Sequence, residues 1–461
     1  MSEALGLDVD ASIANVPSRV ADEANALLAV LRRKRDRNDD RLKLYEGKFD
    51  FDHLGISTPP TMDDLDVVLG WPAKAVDMVS DLCVPQGFNL PGAEIPVVDR
   101  VWEQNDLQMQ LMSAVHMSLI SSVAWLMTTR GVEGEPDVVW QVKDALNGTG
   151  RWNNATRRLD SFLSVTEREH GNPTEIVLYV PGYRYTLRVD RSQWRLVESV
   201  ASTITDHVPV ERFVFRPDDW RPFGRSRITR EVEYLTGAAV RTLLRSEVSA
   251  EFYSFPQRWA MGADASDFQD ENGFSLGRWR TLMGGMLAIG RDDDGQVPQV
   301  GEFRPASQQP HLEQIAVLAQ AFAGETSIPV ASLGVGMQQA NPTSADAYMV
   351  GRADLIRLAT RSMRVWGQSA KRAMMTSQEL LGVDMGESAW GMQLDWEDPR
   401  SVPTNTAADN LSKVTAAMPW VAETPEAIDM LNLDFTTTQN LKESQRKDRG
   451  RSLLRRIVDE A

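Results

Sequence analysis

The sequence predicts an α+β fold. A run of alternating strand residues punctuated by turn signals occupies positions 174–199, and long amphipathic helical patterns lie before and after it. Segregation of strands and helices in this way points to an antiparallel sheet flanked by helices, rather than to a doubly wound parallel sheet.

Residues 20–48 read as a helix ending in the mixed-charge run LLAVLRRKRDRNDDRLKLYEGK. Arg32, Arg33, Lys34 and Arg35 are followed at once by Asp36, Asp39 and Asp40, which is the pattern of a solvated face. The stretch DLQMQLMSAVHMSLISSVAWL, from Asp106 to Leu126, reads as a core helix passing into a strand. His116 lies within it and is expected to be a satisfied buried imidazole, since no second His or Cys stands at metal-ligand spacing. In TEIVLYVPGYRYTLRVDRSQWRLVES, Pro181-Gly182 and the segment from Asp190 to Gln193 separate three strands of an antiparallel meander.

From Ile228 to Phe255 a helical pattern places Ile228, Val232, Leu235, Ala239, Leu243 and Ala250 on one stripe, and about 25 residues reach nearly 40 Å. A glycine- and acid-rich insert of short strands and turns follows, up to residue 308. The helix HLEQIAVLAQAFAG then puts Leu312, Ile315, Ala316, Ala319 and Phe322 on one face, with Pro310 in its first turn and Gly324 at its end. About twenty residues without periodicity come next, and a loop of that length within a compact domain is usually functional. After NPTSAD, where Thr343 and Asp346 have capping-box spacing, a long helix begins.

Between Ala347 and Ala373 that helix carries Arg352, Arg357, Arg361, Arg364, Lys371 and Arg372 against the single acid Asp354. Arg357, Arg361 and Arg364 fall at i, i+4 and i+7 and therefore share a face, suited either to DNA phosphates or to acidic surface on an adjacent subunit. In the loop before it, Gly334 and Gly336 can take positive φ values that other residues resist. Beyond Trp396 the chain reads as helical segments with polar linkers, ending in the basic run QRKDRGRSLLRR.

Several segments together resemble the portal proteins of tailed bacteriophages, in the branch common in actinobacterial phages. They are LYEGKFDFDHLGI, GWPAKAVDMVSDLCVPQGF, PTEIVLYVPGYRYTLRVDRSQW, FGRSRITREVEYLTGAAVRTLLRSEVSAEFYSFPQRW and GEFRPASQQPHLEQIAVLAQAFAGETSIPVASLGV followed by NPTSADAYMVGRADLIRLATR. The resemblance implies a portal fold with a wing, a helical stem, a small β-containing clip and a helical crown. It assigns 1–227 to the N-terminal part of the wing, 228–255 to a stem helix, 256–308 to the clip and 309–325 to the returning stem helix. Residues 326–343 become a tunnel loop, 344–400 the long helix and C-terminal wing, and 401–461 the crown and basic tail.

In function the resemblance implies a dodecameric ring at one capsid vertex, through which double-stranded DNA is packaged and ejected. Expected partners are other copies of the chain, terminase, head-completion adaptors, the major capsid protein and scaffold, with assembly in the host cytoplasm. Gly334, Val335, Gly336, Met337, Gln338 and Gln339 would touch the moving duplex, and Arg278 and Arg280 of the clip would dock partners.

Composition sets limits on other functions. No apolar run approaches the ~18 residues of a membrane span, and the N-terminus MSEALGLDVDASIAN lacks the basic and apolar regions of a signal peptide, so neither insertion nor secretion is expected. The formal charge of −16 disfavours a protein that grips nucleic acid, yet suits a wall past which a duplex must slide. Cys83 is the only cysteine, which excludes an intrachain disulfide and suggests a small buried residue. No phosphate-binding loop occurs, GRSRI lacks the closing glycine of a nucleophile elbow, and Asp292–Gly295 reads as a hairpin turn because Gly290 and Gly301 stand where a calcium loop needs carboxylates. With five scattered histidines, a metal site is not expected, nor is a cofactor or a catalytic residue. Thirteen tryptophans, spread from Trp71 to Trp420, are read mainly as core residues.

Overall fold

The computed structural model describes residues 8–51, 67–90, 96–204, 206–254, 258–261, 299–302, 307–335, 350–383, 386–400, 404–433, 437–438 and 440–448. In chain order the helices are α1 (Ala11–Ala14), α2 (Ser18–Glu46), α3 (Trp71–Ser80), α4 (Pro96–Gln104), α5 (Leu107–Ser121), α6 (Arg230–Ser254), α7 (Gln309–Thr326), α8 (Ala353–Leu381), α9 (Thr404–Ala417) and α10 (Pro425–Asp429). The strands are β1 (Pro85–Asn89), β2 (Val123–Arg130), β3 (Val138–Lys143), β4 (Gly148–Asn153), β5 (Arg158–Glu169), β6 (Asn172–Val180), β7 (Tyr183–Asp190), β8 (Gln193–Ala201), β9 (Val210–Val214), β10 (Arg258–Met261), β11 (Gln299–Glu302) and β12 (Gln393–Trp396). All strand pairings among the described residues are antiparallel, so the fold is α+β. The chain divides into two compact units, residues 1–42, 75–227 and 343–461 forming the first and 43–74 with 228–342 the second.

The first unit is layered. Its five-stranded sheet, in the order β4-β5-β6-β7-β8, contains the expected meander. The turns fit the alternation: Arg191 and Ser192 both adopt left-handed φ (49° and 63°), as a two-residue hairpin between right-twisted strands requires, and His170 with Gly171 do the same between β5 and β6. Strand periodicity then separates two cores. Leu163, Val165, Ile176 and Leu178 point to α1 and α2, where they meet Ala24, Leu27, Leu28 and Leu31. Phe162, Val177 and Tyr179 point the other way, onto Val123, Trp125 and Met127 of β2 and Val210 and Val214 of β9. A three-stranded sheet, β3-β2-β9, thus backs the larger one.

Helix α8 covers the outer face of that smaller sheet. Trp366, fully buried, stacks on Phe213 at 5.7 Å and 5° and on Phe215 at 6.3 Å, and its far edge meets Trp396 at 6.5 Å. Trp140 of β3 donates to Ser377 Oγ at 2.8 Å, an apolar ring with its one polar atom satisfied. Cys83 is buried, as expected, and burial pushes its thiol pKa up. His116 is only half-buried and faces Asp77 at 3.6 Å, which corrects the expectation of a buried imidazole. It shares the less buried face of α5 with Met112, Ser113 and Met117, while Leu111, Ala114, Val115, Ser118 and Leu119 face the core.

The second unit is built around α6 and α7. The buried stripe of α6 is Val232, Thr236, Ala239, Val240, Leu244 and Val248. Leu235 and Leu243 are half-buried and Ala250 is exposed, so the stripe read from the sequence is rotated. On α7, Ile315, Ala319 and Phe322 are buried but Leu312 is 57% exposed. Helix α7 also runs past Gly324 to Thr326, and its left-handed cap is Ser327 (φ 56°) rather than the glycine. Trp71 closes this core against Phe322 at 5.1 Å. Gly237 has a steric reason: a Cβ there would lie 2.7 Å from the Phe51 ring.

Candidate functional site

The two segments singled out by sequence lie in different units. In the second, Ile328 is buried after the α7 cap, and Pro329 begins a single 3₁₀ turn, Val330–Leu333, closed by Ser332 N donating to Pro329 O at 2.9 Å. Leu333 is buried, so this stretch, expected to lack regular structure, is tied to the core of its unit. Gly334 follows at φ 73°, the left-handed value its residue type permits, and no atom lies within 4 Å of where a Cβ would stand. Val335 is half-buried. Gly336, Met337, Gln338 and Gln339 lie outside the described residues, as do Arg278 and Arg280, the Thr343–Asp346 capping pair, the Asp292–Gly295 turn and the C-terminal basic run beyond Asp448.

In the first unit, α8 is strongly two-faced. Leu355, Leu358, Ala359, Met363, Trp366, Ala370, Ala373 and Met374 are buried, while Arg357, Arg361 and Arg364 are exposed together, as their spacing predicts. Arg357 pairs with Asp354 at 3.2 Å, both side chains more than 70% exposed, a contact of little energetic weight. Arg361 and Arg364 make no ion pair among the described residues.

Lys371 and Arg372 do not belong to this face. Lys371 is buried, donates to the carbonyl of Trp390 and lies 5.9 Å from its ring. Arg372 Nε donates to Glu211 Oε2 at 3.0 Å. Glu211 is 5% exposed, and burial pushes its carboxyl above the ordinary range despite the nearby Arg372 and Arg158. Two cations that look functional in sequence thus tie α8 to β9 and to the 386–391 turn. Partners 161 residues apart leave no local signal in the sequence.

A further polar cluster joins the same elements. His207, 3% exposed, has Nδ1 2.8 Å from Asp206 Oδ1 and Nε2 3.4 Å from Thr376 Oγ1 and 3.8 Å from Glu379 Oε2. Asp206 is held below the ordinary carboxylate range chiefly by the His207 hydrogen bond. Three potential ligands meet here, but the carboxylates flank opposite nitrogens of one ring, and one ion coordinates only one of them. The cluster is therefore a hydrogen-bonded clamp. Among the described residues no helix is long and apolar enough to cross a membrane.

A family profile described as phage portal protein, SPP1 Gp6-like, matches residues 25–424. The portal proteins of Mycobacterium phages D29 and L5 are each 24% identical to this chain, over 385 and 375 residues, covering 80% and 78% of it and 77% and 75% of their own lengths. A chain from the virion of a native gene transfer agent particle matches 79% of this chain and 90% of its own at 14% identity, with a TM-score of 0.44. The profile takes in the layered sheets, both helices of the second unit and α8, and the chain belongs to the SPP1 Gp6-like family of phage portal proteins, structural components of the virion.

Proposed function

We propose that the chain assembles into a closed ring, twelve subunits in this family, at one vertex of the capsid. The ring is a passive or gating channel for packaging and ejection of double-stranded DNA. The observation that carries this reading is the family match, which runs from α2 to residue 424 without confinement to either unit. The portal divisions follow as proposals: wing for 1–227 and 344–400, stem for α6 and α7, clip for 256–308 and crown for 401–461.

The segment 334–339 is assigned to the tunnel. Support comes from Gly334, whose left-handed backbone and open surroundings suit the root of a loop that changes shape as a duplex passes. Arg278 and Arg280 are assigned to docking of terminase and then of head-completion adaptors. The exposed Arg357, Arg361 and Arg364 face is assigned to contact with an adjacent subunit, with DNA phosphates as the other outcome of its test. The major capsid protein and scaffold complete the partners, and assembly is placed in the host cytoplasm. Light scattering of the purified protein tests the reading. Twelve copies of a 51.4 kDa chain weigh about 0.6 MDa; a strictly monomeric species at every concentration and salt would overturn it.

A further inference from the structure

The three-stranded sheet of the first unit has two dissimilar ends. Strand β2 starts opposite the end of β9, Val123 pairing with Val214, and finishes opposite the start of β3, Arg130 pairing with Val138. The segment 215–225 after β9 therefore sits at one end of β2 and the 131–137 turn at the other, about 26 Å apart for eight residues of strand.

At the first end the chain is heavily constrained. Phe215 N donates to Ser122 O at 3.1 Å and Arg225 N to Phe215 O at 2.8 Å, while Asp218 and Arg221 exchange backbone bonds of 3.3 and 3.0 Å. Asp218 also accepts from Arg221 N at 2.7 Å and from Arg225 Nη2 at 2.6 Å. Gly224 is at φ 69°, where a Cβ would lie 2.3 Å from Phe215 O. This turn holds Trp220 out at 92% exposure. A residue whose backbone is already fixed loses only side-chain freedom on being covered, and a large exposed indole presented in this way has the character of an interface anchor.

Cations gather around it. Helix α2 brings Lys34, Arg37 and Arg41, at i, i+3 and i+7, toward the same turn: Lys34 Nζ lies 5.2 Å from the Phe223 ring. Burial and the neighbouring Arg37 and Arg221 pull the Arg41 pKa down to about 10. Asp218 is matched by Arg225, which leaves Asp219 as the only uncompensated acid of the turn.

The opposite end is acidic. Residues 131–137 read GVEGEPD, closed by Gly131 N donating to Asp137 O at 3.1 Å and Val132 N to Glu135 Oε2 at 3.1 Å. Val132 is 70% exposed at its tip, beside exposed Glu133 and Glu135. Asp137 is paired with Arg100 at 3.4 Å, and Arg130 is exposed just before the turn.

We propose that the Trp220 end of one subunit docks on the Val132 end of a second copy of this chain, the indole covering Val132 while Arg37 and Arg221 face Glu133 and Glu135. The inference rests on the ring reading above and names a contact for it. Like charge keeps either end from pairing with itself, and a contact between unlike ends of identical chains is heterologous, the kind that closes into a ring rather than stopping at a dimer.

The test uses the full chain carrying Trp220→Cys and Val132→Cys together; the only native thiol, Cys83, is buried. Oxidation is expected to give a non-reducing ladder of dimers, trimers and higher species, absent from either single variant. Arg221→Glu or Glu133→Arg alone should raise the protein concentration needed for assembly by about tenfold or more, with unchanged melting, and the double reversal should restore it. Wild-type rings with no ladder and no effect of either reversal would overturn this contact and leave the ring reading intact. A wild-type protein that never assembles would overturn both.

Discussion

Helices α8 and α6, 29 and 25 residues long, look alike in sequence but are used differently. Helix α8 buries most of its apolar face within its own unit: Trp366 is sealed by Phe213, Phe215 and Trp396, and Arg372 is tied to buried Glu211. Helix α6 buries only part of its apolar surface within the chain. Leu235 and Leu243 are half-covered, Tyr234 is 67% exposed, and Val317 on the neighbouring α7 is 63% exposed. A long amphipathic pattern therefore states that a helix forms, while the extent of its burial depends on what the rest of the chain brings to it.

The contrast is broken most directly at Trp366. Trp366→Ala should cost about 3–5 kcal/mol in urea unfolding, since a fully buried indole leaves a cavity among rings that collapse poorly. A loss below about 1 kcal/mol would mean that α8 is not the committed helix. Arg372→Ala is expected next, at about 2–3 kcal/mol, toward the low side for a broken buried pair because Arg372 is 30% exposed. This loss should depend on pH. The Glu211 carboxyl titrates above its ordinary 4.5 in the fold, so its ionisation costs stability as pH rises from there through the folded value. Removing Arg372, which opposes that shift, should leave a small deficit near pH 4 that grows toward neutrality, and adding Glu211→Gln should flatten the curve.

Gly334→Val should cost about 1–2 kcal/mol from its left-handed backbone alone, because the space around it is open, whereas Gly334→Asn should cost less. Equal losses for the two would show that space, not φ, selects the glycine. Smallest are the surface changes. Tyr234→Ser on α6 and Val317→Ser on α7 should shift chain stability by less than about 0.5 kcal/mol, in contrast to Trp366. Replacing Arg357, Arg361 and Arg364 together with Ala should be equally mild for folding. A higher assembly concentration in that variant supports the subunit contact; normal rings with impaired DNA retention assign the face to DNA.

Sequence by itself determined a good deal. The meander was legible because turn residues and period-2 alternation are local, and α2, α5 followed by β2, α6, α7 and α8 were legible because helical periodicity is local too. The shared exposed face of Arg357, Arg361 and Arg364 followed from spacing alone. That Gly334 can take a positive φ was readable from its residue type, and the fold uses that freedom.

Only the tertiary structure decided which neighbours those elements met. It rotated the buried stripe of α6, moved the end of α7 from Gly324 to Ser327 and exposed Leu312. It also withdrew Lys371 and Arg372 from the basic face. The burial of Glu211, the His207 clamp and the basic end of the three-stranded sheet all depend on residues from distant parts of the chain, such as Glu211 with Arg372 and Arg41 with Arg221. Hydrogen bonding and side-chain spacing along one element act over a few residues and can be read in order, but desolvation and charge pairing act through space, between residues whose proximity exists only after folding.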